Sequence, residues 1–207
     1  EHLAGELVVE GKRLRIVRMD GDAGKAQVHV TGEVALASLE SPEMDVTIVA
    51  DGAEFDDRLL AALPEGIRSS VAALHPSGRF DLRTTLTVEP ESRQVVPRST
   101  AMLRGASVRP DSFPVELTDV EGRVRIEPSV IAIDEVVGRY RSATISASGT
   151  VERSVPRQAW SGQAAPRRAL ELAVHCRDLR IDDELRAAAP PKLRGVLTDW
   201  SVDGPIA

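Results

Sequence analysis

Two pairs of adjacent aspartates, Asp56–Asp57 and Asp182–Asp183, come closest in this sequence to a set of metal ligands. Each pair stands at the start of a helical pattern, where a carboxylate commonly accepts hydrogen bonds from the free amides of the first turn. Calcium-type sites collect many oxygen ligands, and no histidine or further carboxylate accompanies both pairs. The pairs therefore favour helix capping over a metal site, and no metal or cofactor is predicted.

The segment GDAGKA, which begins at Gly21, has some features of a phosphate-binding loop. The P-loop pattern requires a glycine where this chain has Met19, and a serine or threonine where it has Ala26. The segment also lies between two strand patterns, without the helix that would follow a P-loop. A plain turn is therefore favoured.

The nucleophilic and basic side chains form no recognisable catalytic set. The sequence lacks the G-x-S-x-G nucleophile motif, and His29 and His75 have no counterpart in the second half of the chain. His175 and Cys176 are neighbours on a strand pattern, so their side chains would face opposite ways. Cys176 falls on the apolar side with Leu172 and is expected to be a buried structural thiol. We predict that the chain is not an enzyme.

The composition describes a folded domain with an aliphatic core. Apolar residues make up 42% of the 207 residues, but aromatic residues only 3%, which leaves few platforms on which bases could stack. The net charge of −6, with basic residues scattered among acids, argues against nucleic acid as a partner. No apolar run is long enough to cross a bilayer.

Most of the chain alternates apolar and polar residues with a period of two, which is typical of strands with one buried face. The segments AQVHVTGEVAL and RFDLRTTLTV show this clearly. Short turns rich in glycine, proline and aspartate separate these segments. The sequence predicts a mainly β fold, an antiparallel meander that forms a curved sheet or groove. Gly32 and Gly149 lie within strand patterns and mark either a bend of the whole sheet or a local bulge.

The sequence repeats itself over a long period. Residues Gly5–Val34 align without a gap on Gly122–Val151, and Asp45–Phe80 aligns on Glu171–Ile206. We therefore predict two tandem β-rich copies, residues 1–117 and 118–207, of which the second is truncated at its C-terminal end. Repeated modules of this kind commonly build an extended surface.

Each copy contains one helical pattern at the same place, predicted as a pair of short helices near residues 56–75 and near residues 182–200. The truncated second copy leads us to expect that the sequence is part of a longer protein.

The region from residue 113 to 151 resembles the recurring unit of AsmA-like bacterial envelope proteins, the group that includes the TamB and YhdP types. The matching positions are turn glycines, small residues and alternating apolar residues. They are Phe113, Pro114, Leu117, Asp119, Val120, Gly122, Val124, Val136, Gly138, Ala143, Ile145, Gly149 and Val151. Residues 5–34 form a weaker second instance, whereas the helix pairs depart from the family's uninterrupted groove.

The resemblance implies a non-enzymatic module of a large, inner-membrane-anchored periplasmic protein. Its β-groove would carry phospholipid acyl chains between membranes or serve outer-membrane maintenance, with neighbouring repeats of the same chain as partners. The residues expected to face lipid are Val28, Val30, Val34, Ile48, Leu82, Leu86, Val124, Ile126, Ile145, Val151, Leu172 and Val174. The alternative is a structural or protein-interaction module in which these side chains form a dry packed core.

Overall fold

The computed structural model describes residues 2–35, 43–63, 65–89, 91–152 and 170–188. These residues form one sheet of ten strands, which lie side by side in the order of the sequence. Every neighbouring pair is antiparallel, as in a meander joined by direct connections. The prediction of a mainly β antiparallel fold is confirmed.

The strands are β1 Leu3–Glu10, β2 Arg13–Ala23, β3 Ala26–Ala35, β4 Glu43–Glu54, β5 Ser77–Val88, β6 Val95–Val108, β7 Leu117–Ile126, β8 Val130–Tyr140, β9 Ala143–Glu152 and β10 Leu170–Arg177. The helices are α1 Asp57–Ala62 and α2 Glu65–Ala72, which connect β4 to β5, and α3 Asp183–Ala188, which follows β10. Even-numbered strands of a meander run in the same direction and therefore finish at the same end of the sheet. Because α1 and α2 follow β4 and α3 follows β10, the three helices lie at that end. We call it the helical end.

The aspartate pairs start the helices as predicted. The Asp56 carboxylate accepts a hydrogen bond from the Leu59 amide at 2.8 Å, and the Asp182 carboxylate accepts one from the Leu185 amide at 2.8 Å. The first predicted helix pair is present as α1 and α2. In the second, α3 is present, and residues 189–200 lie outside the described part of the chain.

The predicted curved sheet or groove is wrong for the described residues, because the sheet is open and uncurled. The glycines expected to bend it are associated with local irregularities instead. Gly32 lies opposite Ile16, where β2 holds one extra residue, and Gly149 lies opposite Ile133 at a similar shift of β8. Each bulge is absorbed between two strands.

The strands β1–β3 and β7–β9 have matching details at a separation of 117 residues. Adding 117 to the bounds of β2 and β3 gives the bounds of β8 and β9. The shift between β2 and β3 after Ile16 returns between β8 and β9 after Ile133. All ten strands nevertheless share one sheet, and the division into units 1–117 and 118–207 stays a prediction.

Close packing is concentrated at the helical end. Val115, Tyr140 and Leu185 form a buried cluster there, with Ile145 and Ile181 packed against it. The Phe55 and Phe80 rings stack with their centroids 4.5 Å apart. Leu185 is the buried side chain of α3, whereas α1 buries none of its residues. The helices therefore anchor one end of the sheet and leave most of its area uncovered.

Candidate functional site

The candidate site is one whole face of the sheet. Residues directly opposite each other on antiparallel strands point to the same side, so cross-strand pairs define a face. Val30 on β3 lies opposite Ile48 on β4, while Leu82 on β5 lies opposite both Ala50 and Ala101. Continuing these pairs across all ten strands gives a continuous surface that we call the apolar face.

The two edges of the apolar face follow from the same pairing. Val124 lies opposite both Ala101 and Ile133, which carries the face from β6 to β8. Gly149 on β9 lies opposite Ile133 and Leu172, and so extends it to β10. In the other direction Met19 connects Val30 to Gly5 of β1.

All twelve residues predicted to face lipid lie on the apolar face, and none of them is buried. Ten are partly exposed, while Leu172 and Val174 on β10 are 44% and 51% exposed. Away from the helical end, where Ile145 packs against the cluster around Leu185, the described residues provide no second layer over these twelve side chains. The structure places these residues together, and their contact with lipid stays a prediction.

Sequence reasoning missed several members of the apolar face. On β1 these are Leu3, Leu7 and Val9, which are 66%, 52% and 64% exposed. Others are Leu14, Ile16, Met19, Met44, Leu103, Ile131, Ile133 and Val136. The period-two alternation through these strands was the available signal. Bulges disturb that alternation by one residue in β2 and β8, which hides the common face.

One polar pair interrupts the middle of the apolar face. The Thr84 and Ser99 hydroxyls, on β5 and β6, hydrogen-bond each other at 2.9 Å. Each hydroxyl thereby satisfies the other without a charged partner. The face therefore stays uncharged at its centre.

The opposite side of the sheet, the polar face, carries cross-strand ion pairs. Arg125 on β7 holds Asp134 on β8 through two nitrogens at 2.6–3.0 Å, and the guanidinium lowers the pKa of that carboxyl. Arg104 donates to Asp81 at 2.7 Å, and the pKa of Asp81 is lowered, first by the Gly52 amide and then by Arg104. Such exposed pairs add little stability. Their positions show that the charged side chains of the sheet lie on the polar face.

The helical end holds the most connected polar cluster of the described residues. The Tyr140 hydroxyl donates to Asp182 at 3.0 Å, and Arg141 pairs with both Asp182 and Glu184. Burial, followed by the bond to Asp182, raises the pKa of Tyr140 to about 12. Partial burial would raise the pKa of Asp182, but the Leu185 amide, Tyr140 and Arg141 together lower it. The cluster joins β8 to the start of α3.

The remaining reactive side chains are scattered. His29 lies 2.5 Å from Asp20 on the polar face, and His75 lies 2.8 Å from Asp111 near α2. Cys176 is exposed, so the prediction of a buried thiol is wrong; it lies on the last strand of the sheet, which among the described strands pairs only with β9. Partial burial raises the pKa of this thiol, which disfavours the reactive thiolate.

The described ranges offer few features of other kinds of site. No group of three or more metal-ligating side chains occurs in them, and no helix in them is long and apolar enough to cross a membrane. A depression of about 160 Å³ lies between β2, β3 and β4, away from the helical end, with Arg13 and Glu43 in its lining. Ligand pockets are commonly ~300–1,000 Å³, so this depression is small for one.

The chain matches no family model, no curated protein and no solved structure. The resemblance to AsmA-like proteins therefore stays a prediction from the sequence.

Proposed function

We propose that the chain is a non-enzymatic module that holds phospholipid acyl chains on the apolar face of its sheet. One observation carries the proposal. An aliphatic surface continues across all ten strands, and none of its twelve predicted lipid-facing residues is buried. Monomeric soluble proteins rarely expose such continuous apolar area without a partner for it.

The dimensions of the face suit acyl chains. Ten strands spaced about 4.8 Å apart give a width of ~43 Å, and the ten residues of β3 extend for ~34 Å. Half of a bilayer's hydrocarbon core is only ~15 Å thick, so the tail of one leaflet lipid fits along a strand. An acyl chain lying between the side chains of two neighbouring strands would contact only aliphatic groups over most of the apolar face.

The chemistry of the face also favours hydrocarbon over a specific polar ligand. Its side chains are mainly valine, leucine, isoleucine and alanine, and its polar pair, Thr84 and Ser99, is internally satisfied. Full burial of a methylene is worth ~0.8 kcal/mol, and contact on one side about half of that. Ten methylenes then contribute ~4 kcal/mol, which corresponds to a Kd of about 1 mM for one tail, so a tail would bind weakly and exchange readily.

The cellular setting is part of the proposal and rests on the sequence resemblance. Such a module would belong to an AsmA-like protein anchored in the inner membrane and extending through the periplasm. It would act in lipid transfer between membranes or in outer-membrane maintenance, beside neighbouring repeats of its own chain. Nucleic acid is not an expected partner, because the charge of −6 and the scarcity of aromatic residues oppose it.

Photo-crosslinking tests whether lipid occupies the apolar face. A photoreactive amino acid placed at Val28, Val30 or Leu172 should give protein–phospholipid adducts by mass spectrometry after purification from cells. The matched controls carry the same amino acid at Thr31 or Ala173, which directly follow Val30 and Leu172 in the sequence and lie on the polar face. These controls should give no adducts.

The structural alternative makes the opposite prediction. If the apolar face is covered by other protein, crosslinks from Val30 will join polypeptides and no lipid will co-purify. Equal lipid adducts from both faces would also overturn the proposal, since they would indicate unspecific contact with the membrane.

A further inference from the structure

We propose that the Thr84–Ser99 hydroxyl pair binds an ester group of the phospholipid, with the acyl chain running from there toward the helical end. The inference rests on the proposed function and adds to it a polar contact and a direction. Thr84 on β5 lies directly opposite Ser99 on β6. The same row across the sheet carries Ile48 on β4 and Ile126 on β7. The hydroxyl pair therefore lies within the aliphatic surface, with aliphatic neighbours on both sides.

The hydroxyl pair keeps hydrogen-bonding capacity for a ligand. A hydroxyl carries one hydrogen and two lone pairs, and the 2.9 Å bond between Thr84 Oγ1 and Ser99 Oγ uses only one hydrogen of the pair. No other hydrogen bond of these two side chains with a described residue is present. Both residues are partly exposed, so a ligand can reach them. An ester carbonyl oxygen accepts a hydrogen bond and has no donor of its own, so it matches the second hydrogen.

The helical end closes the apolar face on one side of the hydroxyl pair. Phe80, which precedes Thr84 on β5, is only 4% exposed, and its ring stacks with that of Phe55 at a centroid distance of 4.5 Å. Phe80 belongs to the apolar face, because it lies opposite Leu103 on β6. An acyl chain that follows these strands toward the helical end would therefore stop at an apolar wall formed by Phe80.

The distance from this wall to the hydroxyl pair suits the length of an acyl chain. The four-residue step from Phe80 to Thr84 along β5 spans ~14 Å, and the hydrocarbon of one bilayer leaflet is ~15 Å thick. A tail whose terminal methyl rests against Phe80 would thus place its ester group close to Thr84 and Ser99. Between these points the tail would lie beside Leu82 and Ala101, which face each other and are partly exposed.

Burial and charge give the direction of the chain. A charged headgroup placed against Phe80 would lose its water without gaining a polar partner, which is costly. On the other side of the hydroxyl pair, β5 and β6 end in a connection where Glu89, Ser92 and Arg93 are exposed. The headgroup therefore fits on that side, in water, and the tail fits on the side of Phe80.

Two fluorescent phospholipids that differ only in their linkages test the ester contact. Their chains are joined to glycerol by ester bonds in one lipid and by ether bonds, which lack the carbonyl oxygen, in the other. The parent chain should prefer the ester lipid, and Thr84→Val with Ser99→Ala should lose this preference. The ratio of the two Kd values should change by roughly two- to tenfold, the range of one net hydrogen bond.

The matched control is Thr85→Val with Thr100→Ala, which changes the next residue on each strand. Thr85 lies opposite Thr47, and Thr100 lies opposite Arg83, so both are on the polar face. This control should keep the preference of the parent chain. Because every chain is titrated with both lipids, differences between the lipids themselves cancel in the comparison. Circular dichroism verifies that each variant is folded.

Photoreactive lipids test the direction. A diazirine at the end of the tail should label Phe80 or Leu103, whereas a diazirine in the headgroup should label residues 89–93. Tail-end labels at residues 89–93 would overturn the direction. Lipid binding with the same ratio of Kd values in the parent chain and both variants would overturn the ester contact but leave the proposed function standing. A parent chain that binds neither lipid would overturn the proposed function and this inference with it.

Discussion

Replacing Val30 and Ile48 together by threonine should weaken acyl-chain binding strongly while leaving the sheet folded. These residues lie directly opposite each other on β3 and β4, near the middle of the apolar face, and both are partly exposed. The change keeps the β-branched shape that strands favour. It therefore alters the chemistry of the face with little change in its backbone.

The expected magnitude follows from the groups exchanged. Val30→Thr replaces one methyl by a hydroxyl, and Ile48→Thr also removes a methylene. Each lost carbon costs up to ~0.8 kcal/mol of burial against an acyl chain, about half of that for one-sided contact. Each hydroxyl covered by hydrocarbon costs a further ~0.5–2 kcal/mol. Three lost carbons and two hydroxyls together cost ~2–5 kcal/mol, so binding should weaken by at least roughly 30-fold.

The assay is titration of the chain with a phospholipid that carries a fluorescent acyl chain, beside urea unfolding of the same variants. Thr31→Ser with Thr47→Ser is the matched control, because these residues are opposite each other on the next rung of the same strands and face the polar side. The control should bind lipid as the parent chain does. In the absence of lipid, the free energy of unfolding should fall by less than about 1 kcal/mol in either variant, since neither changes a buried side chain.

Two results would refute this reasoning. A similar loss of binding in the control would show that lipid contacts both faces. A loss of several kcal/mol in unfolding free energy for Val30→Thr with Ile48→Thr would show that the apolar face is a packed core, since such costs are typical of buried aliphatic residues.

Two further predictions concern the sheet and its helical end. Gly32→Ala should lower the free energy of unfolding in urea by more than about 2 kcal/mol, because the φ of Gly32 is +147° and a Cβ there would collide with the Asp45 carbonyl. The control Gly24→Asn lies in an open turn and should change the free energy of unfolding by less than about 1 kcal/mol. Tyr140 is the single tyrosine, so tyrosinate absorbance reports it alone, with a midpoint near pH 12 when folded and near ~10 when unfolded. Because the raised pKa favours the protonated phenol, its contribution to stability should be present below pH ~10 and be lost as the pH rises toward 12. Asp182→Asn should shift the folded midpoint toward the unfolded value, and an unshifted midpoint would contradict the assigned bond.

The strands and the common face could be predicted because both follow from local patterns. Alternation with a period of two places Val28 and Val30 on one side of β3 without knowledge of its neighbours. Short connections make successive strands pair, so the face of one strand continues on the next. Asp56 and Asp182 likewise act within one turn of their own helices, and their capping role was readable from the sequence.

The features that sequence reasoning missed depend on residues far apart in the chain. Tyr140 and Asp182 meet across 42 residues, and nothing in either segment specifies that contact. Whether the sheet curls depends on how bulges between many strand pairs combine, so Gly32 alone could not decide it. Cys176 was expected to be buried because its strand face is apolar, but burial also requires a covering layer, which alternation does not reveal.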